Sequence, residues 1–191
     1  MIDFTLSPQV EETRLRIRDF VEKHVIPLES DPDAYDEHEN IAEEPLERLK
    51  ALAKSEGLWS LSLPVEDGGL GFNVVEITPC YEEMNRSIFG PVCFNASAPD
   101  DGNMRVLSQV ARPDQKEKWL KPIADGSIRS SFVMTEPSPG SGSDPSVMLT
   151  RAEKKGDKWI VNGRIWFITG AAVAQHFILM AKTSDDARKG L

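Results

Sequence analysis

Cysteine is scarce in this sequence: Cys80 and Cys93 are the only two among 191 residues. Their spacing fits no metal motif, and a single pair cannot frame a chain of this length with disulfides. Both read as buried thiols in a reducing compartment, bacterial cytoplasm or an organelle matrix. Histidine is nearly as sparse (His24, His38 and His176, far apart), so no metal site is expected. Apolar residues nowhere run on for the roughly 18 positions that a membrane span needs. The opening MIDFTLSPQVEE has neither a basic leader nor an apolar core, so no secretory signal is expected, and no Arg-rich transit peptide. Basic side chains are few early on: residues 1–50 hold 14 acidic against 6 basic. No nucleic-acid partner is expected of such a surface, because phosphates demand a basic face. The last 41 residues reverse the balance with 8 basic and 4 acidic side chains; Arg151, Lys154, Lys155, Lys158 and Arg164 fit lysine-guarded hairpin edges, and an anionic ligand is the alternative.

What is present divides near residue 127. Before it the apolar period is helical. Ser7 followed by Pro8 reads as an N-cap with proline at the first helical position. Val10, Ile17, Phe20, Val21 and Val25 then share one face, until Pro27 stops the run. A second helix carries Leu46, Leu49, Leu52 and Ala53 and stops at Gly57. A third is expected over 74–86, and a fourth, small-residued and central, over 92–110. A short amphipathic helix over 113–123 closes at Ala124-Asp125-Gly126. Helices joined by short loops indicate a bundle.

After Gly126 the period falls to two. Strands are expected over 129–135, 148–154 and 158–161, the last two flanking a turn at Lys155-Gly156-Asp157. Asn162-Gly163 carries the strongest short hairpin signal and leads to a strand over 164–169. A further strand is expected over 176–183. The chain is thus α+β: an N-terminal α-helical bundle (1–127), then an incomplete antiparallel β-barrel or sandwich (128–191). The charged SDDARKG stretch near its end reads as a plausible cleavage point.

Two stretches carry chemistry. In SFVMTEPSPGSGSD (131–144) a strand gives way to a loop with Gly140, Ser141, Gly142 and Ser143. Glycines let backbone N–H groups converge on an anion such as a diphosphate, and the serines add hydroxyl donors. A flexible connector has the same composition. In Trp166-Phe167-Ile168-Thr169-Gly170, two adjacent aromatics on a strand point to opposite faces, so one meets something besides the local core. A planar cofactor and a packing interface both fit.

Taken together, TEPSPGSGSD, TRAEKKGDKWIVNGRIWFITGA and HFILMAKT, preceded in order by VIPLE, GLWSLSLPVEDGGLGF, YEEMNRS and DQKEKWLKPIADGSIRSSFVMTEP, closely resemble the acyl-CoA dehydrogenase family along essentially the whole chain. The resemblance implies FAD as cofactor and α,β-desaturation of an acyl-CoA thioester. It implies that Phe132, Val133, Met134 and Thr135, with the loop residues Ser141, Gly142 and Ser143, contact the flavin ring and phosphates. Thr135 would bond the pyrimidine side of the ring, and Ser143 would stand where flavin and acyl-CoA meet. Phe167, Ile168 and Thr169 match the family's W-[IV]-T: the aromatic covers the flavin and the threonine reaches the nitrogen that takes the hydride. Two departures stand out. The TEP-to-GSD spacing is two residues longer than usual, and Phe167 replaces tryptophan, with Trp166 beside it. The family also implies an electron-transfer acceptor such as an electron-transfer flavoprotein, a homo-oligomer, and a C-terminal helical domain, absent here, that supplies the catalytic glutamate. No residue of this chain matches that base, and Glu136 is structural in relatives. A chain lacking it is expected to be inactive alone; a non-catalytic binding or assembly module, or a flavin oxidase or monooxygenase on the same scaffold, are the alternatives.

Overall fold

The computed structural model describes residues 5–186. The last residues of the cleavage-prone stretch (187–191) lie outside the described residues. The chain divides into two compact units, with the break after Gly126.

The first unit is helical. Helix α1 (Pro8–Phe20) starts where Ser7 Oγ accepts the Val10 N–H at 3.3 Å. It continues through a five-residue π turn, Val21–Val25, and a 3-10 turn, Ile26–Ser30, around Pro27. Helix α2 (Glu43–Ser55) ends at Gly57, whose φ of 67° is the left-handed conformation a helix stop uses. Helix α3 (Val74–Met84) begins in a capping box between Asn73 and Glu76. Helix α4 (Gly90–Cys93) and helix α5 (Asp100–Val110) follow, then a continuous helical stretch built from Pro113–Gln115, Lys116–Leu120 and Lys121–Ala124. Ile17, Phe20, Leu49, Leu58, Met84 and Phe94 are among the fully buried side chains, and the Phe20 and Phe94 rings meet at 4.9 Å. Glu83 on α3 is buried and bonded by Arg14 and Arg18 of α1, the latter at 2.9 Å through Nε.

The expected central helix over 92–110 is two helices. Asn95 takes a left-handed φ of 57°, and Pro99 has no N–H to continue a helix. The Asn95 amide is buried instead against Ser60 Oγ (2.9 Å) and the Ile123 carbonyl (3.0 Å). Nor is α5 central: Met104 is buried, but Val106 and Val110 are exposed.

Among the described residues the second unit holds four strands, β1 (Arg129–Val133), β2 (Arg151–Lys155), β3 (Lys158–Asn162) and β4 (Ala174–Leu179). β2 and β3 form an antiparallel hairpin with Lys155 opposite Lys158, so the turn is Gly156-Asp157, as its φ of 66° at Gly156 allows. β1 pairs with β4, and that pairing is parallel. Lys182, just past β4, bonds Thr150 (2.8 Å) and Ala152 (2.9 Å) at the start of β2. No closed barrel forms among the described residues.

The second unit departs from three local expectations. Asn162-Gly163 is not a hairpin turn; a Cβ at position 163 would lie 2.2 Å from Thr150 Oγ1, so close packing requires this glycine. Residues 164–169 form no strand. Finally, the sheet is not wholly antiparallel, because β1 and β4 are joined by a long connection that contains the other hairpin and returns the chain in the same direction.

Candidate functional site

The second unit brings the two chemistry-bearing stretches side by side. The Trp166 N–H donates to the Thr135 carbonyl at 3.0 Å, and Ser131 Oγ donates to the Thr169 carbonyl at 2.8 Å. Residues 166–169 are thereby laced along the end of β1 and its extension, Met134-Thr135. Phe132, Val133, Met134, Thr135 and Ile168 are half-buried there, and Thr169 is exposed.

The two aromatics do not point to opposite faces. Phe167 has a φ of 50°, a left-handed value unusual for an aromatic residue, which ends strand alternation at that point. Both rings therefore fall together, with centroids 4.6 Å apart and planes at 38°. Phe167 is 80% exposed and Trp166 44%, an uncovered aromatic surface beside the Thr135 backbone.

The loop after Thr135 is closed by a bond from the Glu136 N–H to the Gly142 carbonyl at 3.2 Å. Ser141 is buried, and its hydroxyl donates to the Gly142 carbonyl. Gly142 is half-buried with a φ of 54° and open space where a Cβ would stand, whereas Ser143 is exposed. Asp144 bonds the Ser146 N–H (2.9 Å) and caps a 3-10 turn, Pro145–Val147.

Glu136 sits behind this arrangement, more fully engaged than its motif alone indicates. Burial raises its pKa, but the Thr150 hydroxyl and the N–H groups of Ser141, Leu149 and Thr150 outweigh burial and hold it at about 2. A carboxylate so bound is no proton acceptor at neutral pH. Gly140 and Gly163 were the available signals, since a side chain at either would collide with Glu136 or Thr150.

A well-formed cleft lies elsewhere. About 700 Å³ in volume, it is in the helical unit beside Trp59, Asp67 and Leu120. Its lysines are occupied: Lys54 bonds the Asp125 carbonyl, Lys116 pairs with Asp67 and Lys121 with Glu117. Neither chemistry-bearing stretch lines it, so the residues of the second unit are the stronger candidate. Burial pushes the Cys80 thiol up to about 11 and Cys93 to about 12, which leaves neither a nucleophile. Among the described residues no cluster of His, Cys, Asp or Glu could hold a metal ion.

Known proteins give this geometry its context. Residues 7–127 match the family model for the acyl-CoA dehydrogenase N-terminal domain, and residues 131–191 that for the middle domain. The chain belongs to the acyl-CoA dehydrogenase family. It is 36% identical over 192 residues to acyl-CoA dehydrogenase family member 11 of Gallus gallus, covering 96% of this chain and 24% of that one. A solved structure of a candidate acyl-CoA dehydrogenase from Mycobacterium abscessus is 35% identical with a TM-score of 0.87, over 97% of this chain and 48% of that one. A chain in a structure of the electron transferring flavoprotein of Acidaminococcus fermentans matches at 27% identity and a TM-score of 0.70, over 96% of this chain and 46% of that one. The chain thus spans about half, or less, of the length of these relatives.

Proposed function

We propose that this chain is the portion of an FAD-dependent acyl-CoA dehydrogenase that holds the flavin, in an enzyme that desaturates an acyl-CoA thioester between the α and β carbons. The observation that carries the reading is the lacing of residues 166–169 along Ser131–Thr135, which brings the backbone of Thr135 and Thr169 together with an exposed aromatic pair. Such residues fit a flavin: flat rings can cover an apolar plane, and hydroxyls and backbone groups can meet its polar edge. FAD, when bound, would accept the hydride.

The chain's own residues position and polarise. Thr135 would donate to the pyrimidine side, and Thr169 would reach the hydride-accepting nitrogen. Phe167 would cover the ring, aided by Phe132, Val133, Met134 and Ile168. The loop would receive the phosphates at Gly142 and the exposed Ser143, shaped by Ser141, whose N–H and hydroxyl are already bonded; Ser143 would also meet the acyl-CoA. Glu136 is fully engaged and is not the base that removes the α-proton; in keeping with the family resemblance, that base is proposed to come from outside these residues, so that the chain alone does not turn over. An electron-transfer flavoprotein is the proposed electron acceptor, in keeping with the Acidaminococcus fermentans likeness, and the intact enzyme is proposed to be a homo-oligomer. The test is flavin absorbance of the intact protein and its bleaching by acyl-CoA under anaerobic conditions. Retention of FAD and bleaching are expected; a protein that takes up no FAD contradicts the proposal.

A further inference from the structure

Glu136 and Thr150 are nearly sealed from solvent, 3% and 1% exposed. A carboxylate offers about four acceptor positions. Those of Glu136 receive the N–H groups of Ser141 (2.9 Å) and Leu149 (2.8 Å) and both the N–H and the hydroxyl of Thr150. Closing the loop does not need them, since the Glu136 backbone already bonds Gly142. Their effect is to fasten the loop to the start of β2. Thr150 extends the connection: its carbonyl accepts the Lys182 N–H at 2.8 Å, and Gly163 packs directly on its side chain. Gly163 opens the segment that carries Trp166, Phe167, Ile168 and Thr169. Two buried side chains thus join the glycine-rich loop to the aromatic segment, although neither lies within those stretches' exposed surface.

We propose that Glu136 and Thr150 are a positioning pair that sets Ser141-Gly142-Ser143 in register with Phe167-Ile168-Thr169, so that both segments present their groups to one ligand. The inference rests on the flavin reading above, and names residues that would hold the site without touching the cofactor. A packed hub of this kind tolerates little change, because a site about 1 Å too loose loses most of its binding advantage. The contact with Gly163 is also two-sided, so disturbing either partner disturbs both segments.

The test uses the intact protein with Glu136→Gln, Thr150→Val, Thr150→Ser and Gly163→Ala. Two quantities are measured: the FAD dissociation constant with the visible circular dichroism of bound flavin, and amide hydrogen exchange without FAD. Glu136→Gln and Thr150→Val are expected to weaken FAD by roughly tenfold or more, the scale on which supporting groups act, and to alter the flavin spectrum. Exchange should quicken in both 137–144 and 163–169 while the helices of the first unit stay protected. Thr150→Ser, which keeps hydroxyl and N–H, should behave as wild type. Gly163→Ala should reproduce the loss from the other side and serves if the Glu136 variant does not fold. The proposal is overturned if folded variants bind FAD as wild type does with an unchanged spectrum, or if faster exchange stays within 137–144. Should wild type bind no FAD, the flavin reading fails, and the exchange pattern alone decides the coupling of the two segments.

Discussion

The two units of this chain are held by different physics. In the helical unit, apolar side chains from α1 to α4 and the intervening loops close on one another, and Ile17, Leu49, Leu58, Cys93 and Phe94 have no exposure at all. In the second unit Met148 is the one fully buried apolar side chain among the described residues. Its buried set is otherwise polar: Ser130, Ser131, Glu136, Ser141 and Thr150. Trp159, Phe167 and Phe177 are more than half exposed. One unit is a hydrophobic fold with polar clasps; the other is a hydrogen-bonded framework that displays its apolar groups. Display suits the proposed role of this region in receiving a flat ligand, since an aromatic surface spent on its own core cannot cover anything else.

The sharpest way to break this contrast is truncation on each side. Phe94→Ala should cost the helical unit about 3–5 kcal/mol, the usual range for an aromatic removed from a packed core, read by denaturant unfolding. Phe177→Ala should cost well under about 1 kcal/mol, as exposed substitutions do. Similar losses at both positions would mean that the second unit has a core after all.

Next in size is Glu136→Ala, which strands the donors of Ser141, Leu149 and Thr150. Each buried unsatisfied group costs about 1–3 kcal/mol, so a loss of about 3 kcal/mol or more is expected, confined by hydrogen exchange to the second unit. A smaller consequence concerns acid. The Glu136 carboxyl lies at about 2 in the folded chain against an ordinary 4.5. Its bonds therefore contribute fully above about pH 4.5 and are lost as pH falls towards 2. Acid titration of the second unit should show this loss, and Glu136→Gln should remove it. Glu83 is also held below its usual range, by Arg18 and then Arg14 against burial, so the helical unit has its own acid sensitivity that Glu136→Gln leaves in place.

That contrast also explains what the sequence could disclose. The helices were legible because Val10, Ile17, Phe20, Leu49 and Ala53 recur at the helical period and because Ser7 and Gly57 mark ends. A hydrophobic pattern says little about a unit with almost no hydrophobic core. Gly163 looked like a turn residue, yet its reason is Thr150, thirteen positions earlier and visible only after folding. The parallel pairing of β1 with β4 depends on where a long connection returns. The left-handed Phe167 carries no local marker, so the shared side of its ring and that of Trp166 could not be foreseen. The candidate site was indicated as motifs by family resemblance, whereas the bonds joining its segments, and the hub behind them, arise only in the folded chain.

The central claim is that residues 132–135 and 167–169 form one flavin-binding surface. It is tested most directly by FAD content after dialysis and anaerobic single-turnover reduction of the intact protein, compared among wild type, Thr135→Val, Thr169→Val, Phe167→Ala and Trp166→Phe. Hydrogen bonds to a charged partner are worth about 1.5–3 kcal/mol, and reduced flavin is such a partner. Each threonine variant is therefore expected to slow reduction by about tenfold or more, with a milder loss of resting FAD. Phe167→Ala should lose more FAD than Trp166→Phe. If none of the four changes either FAD retention or its reduction, the flavin is bound elsewhere and the account is wrong.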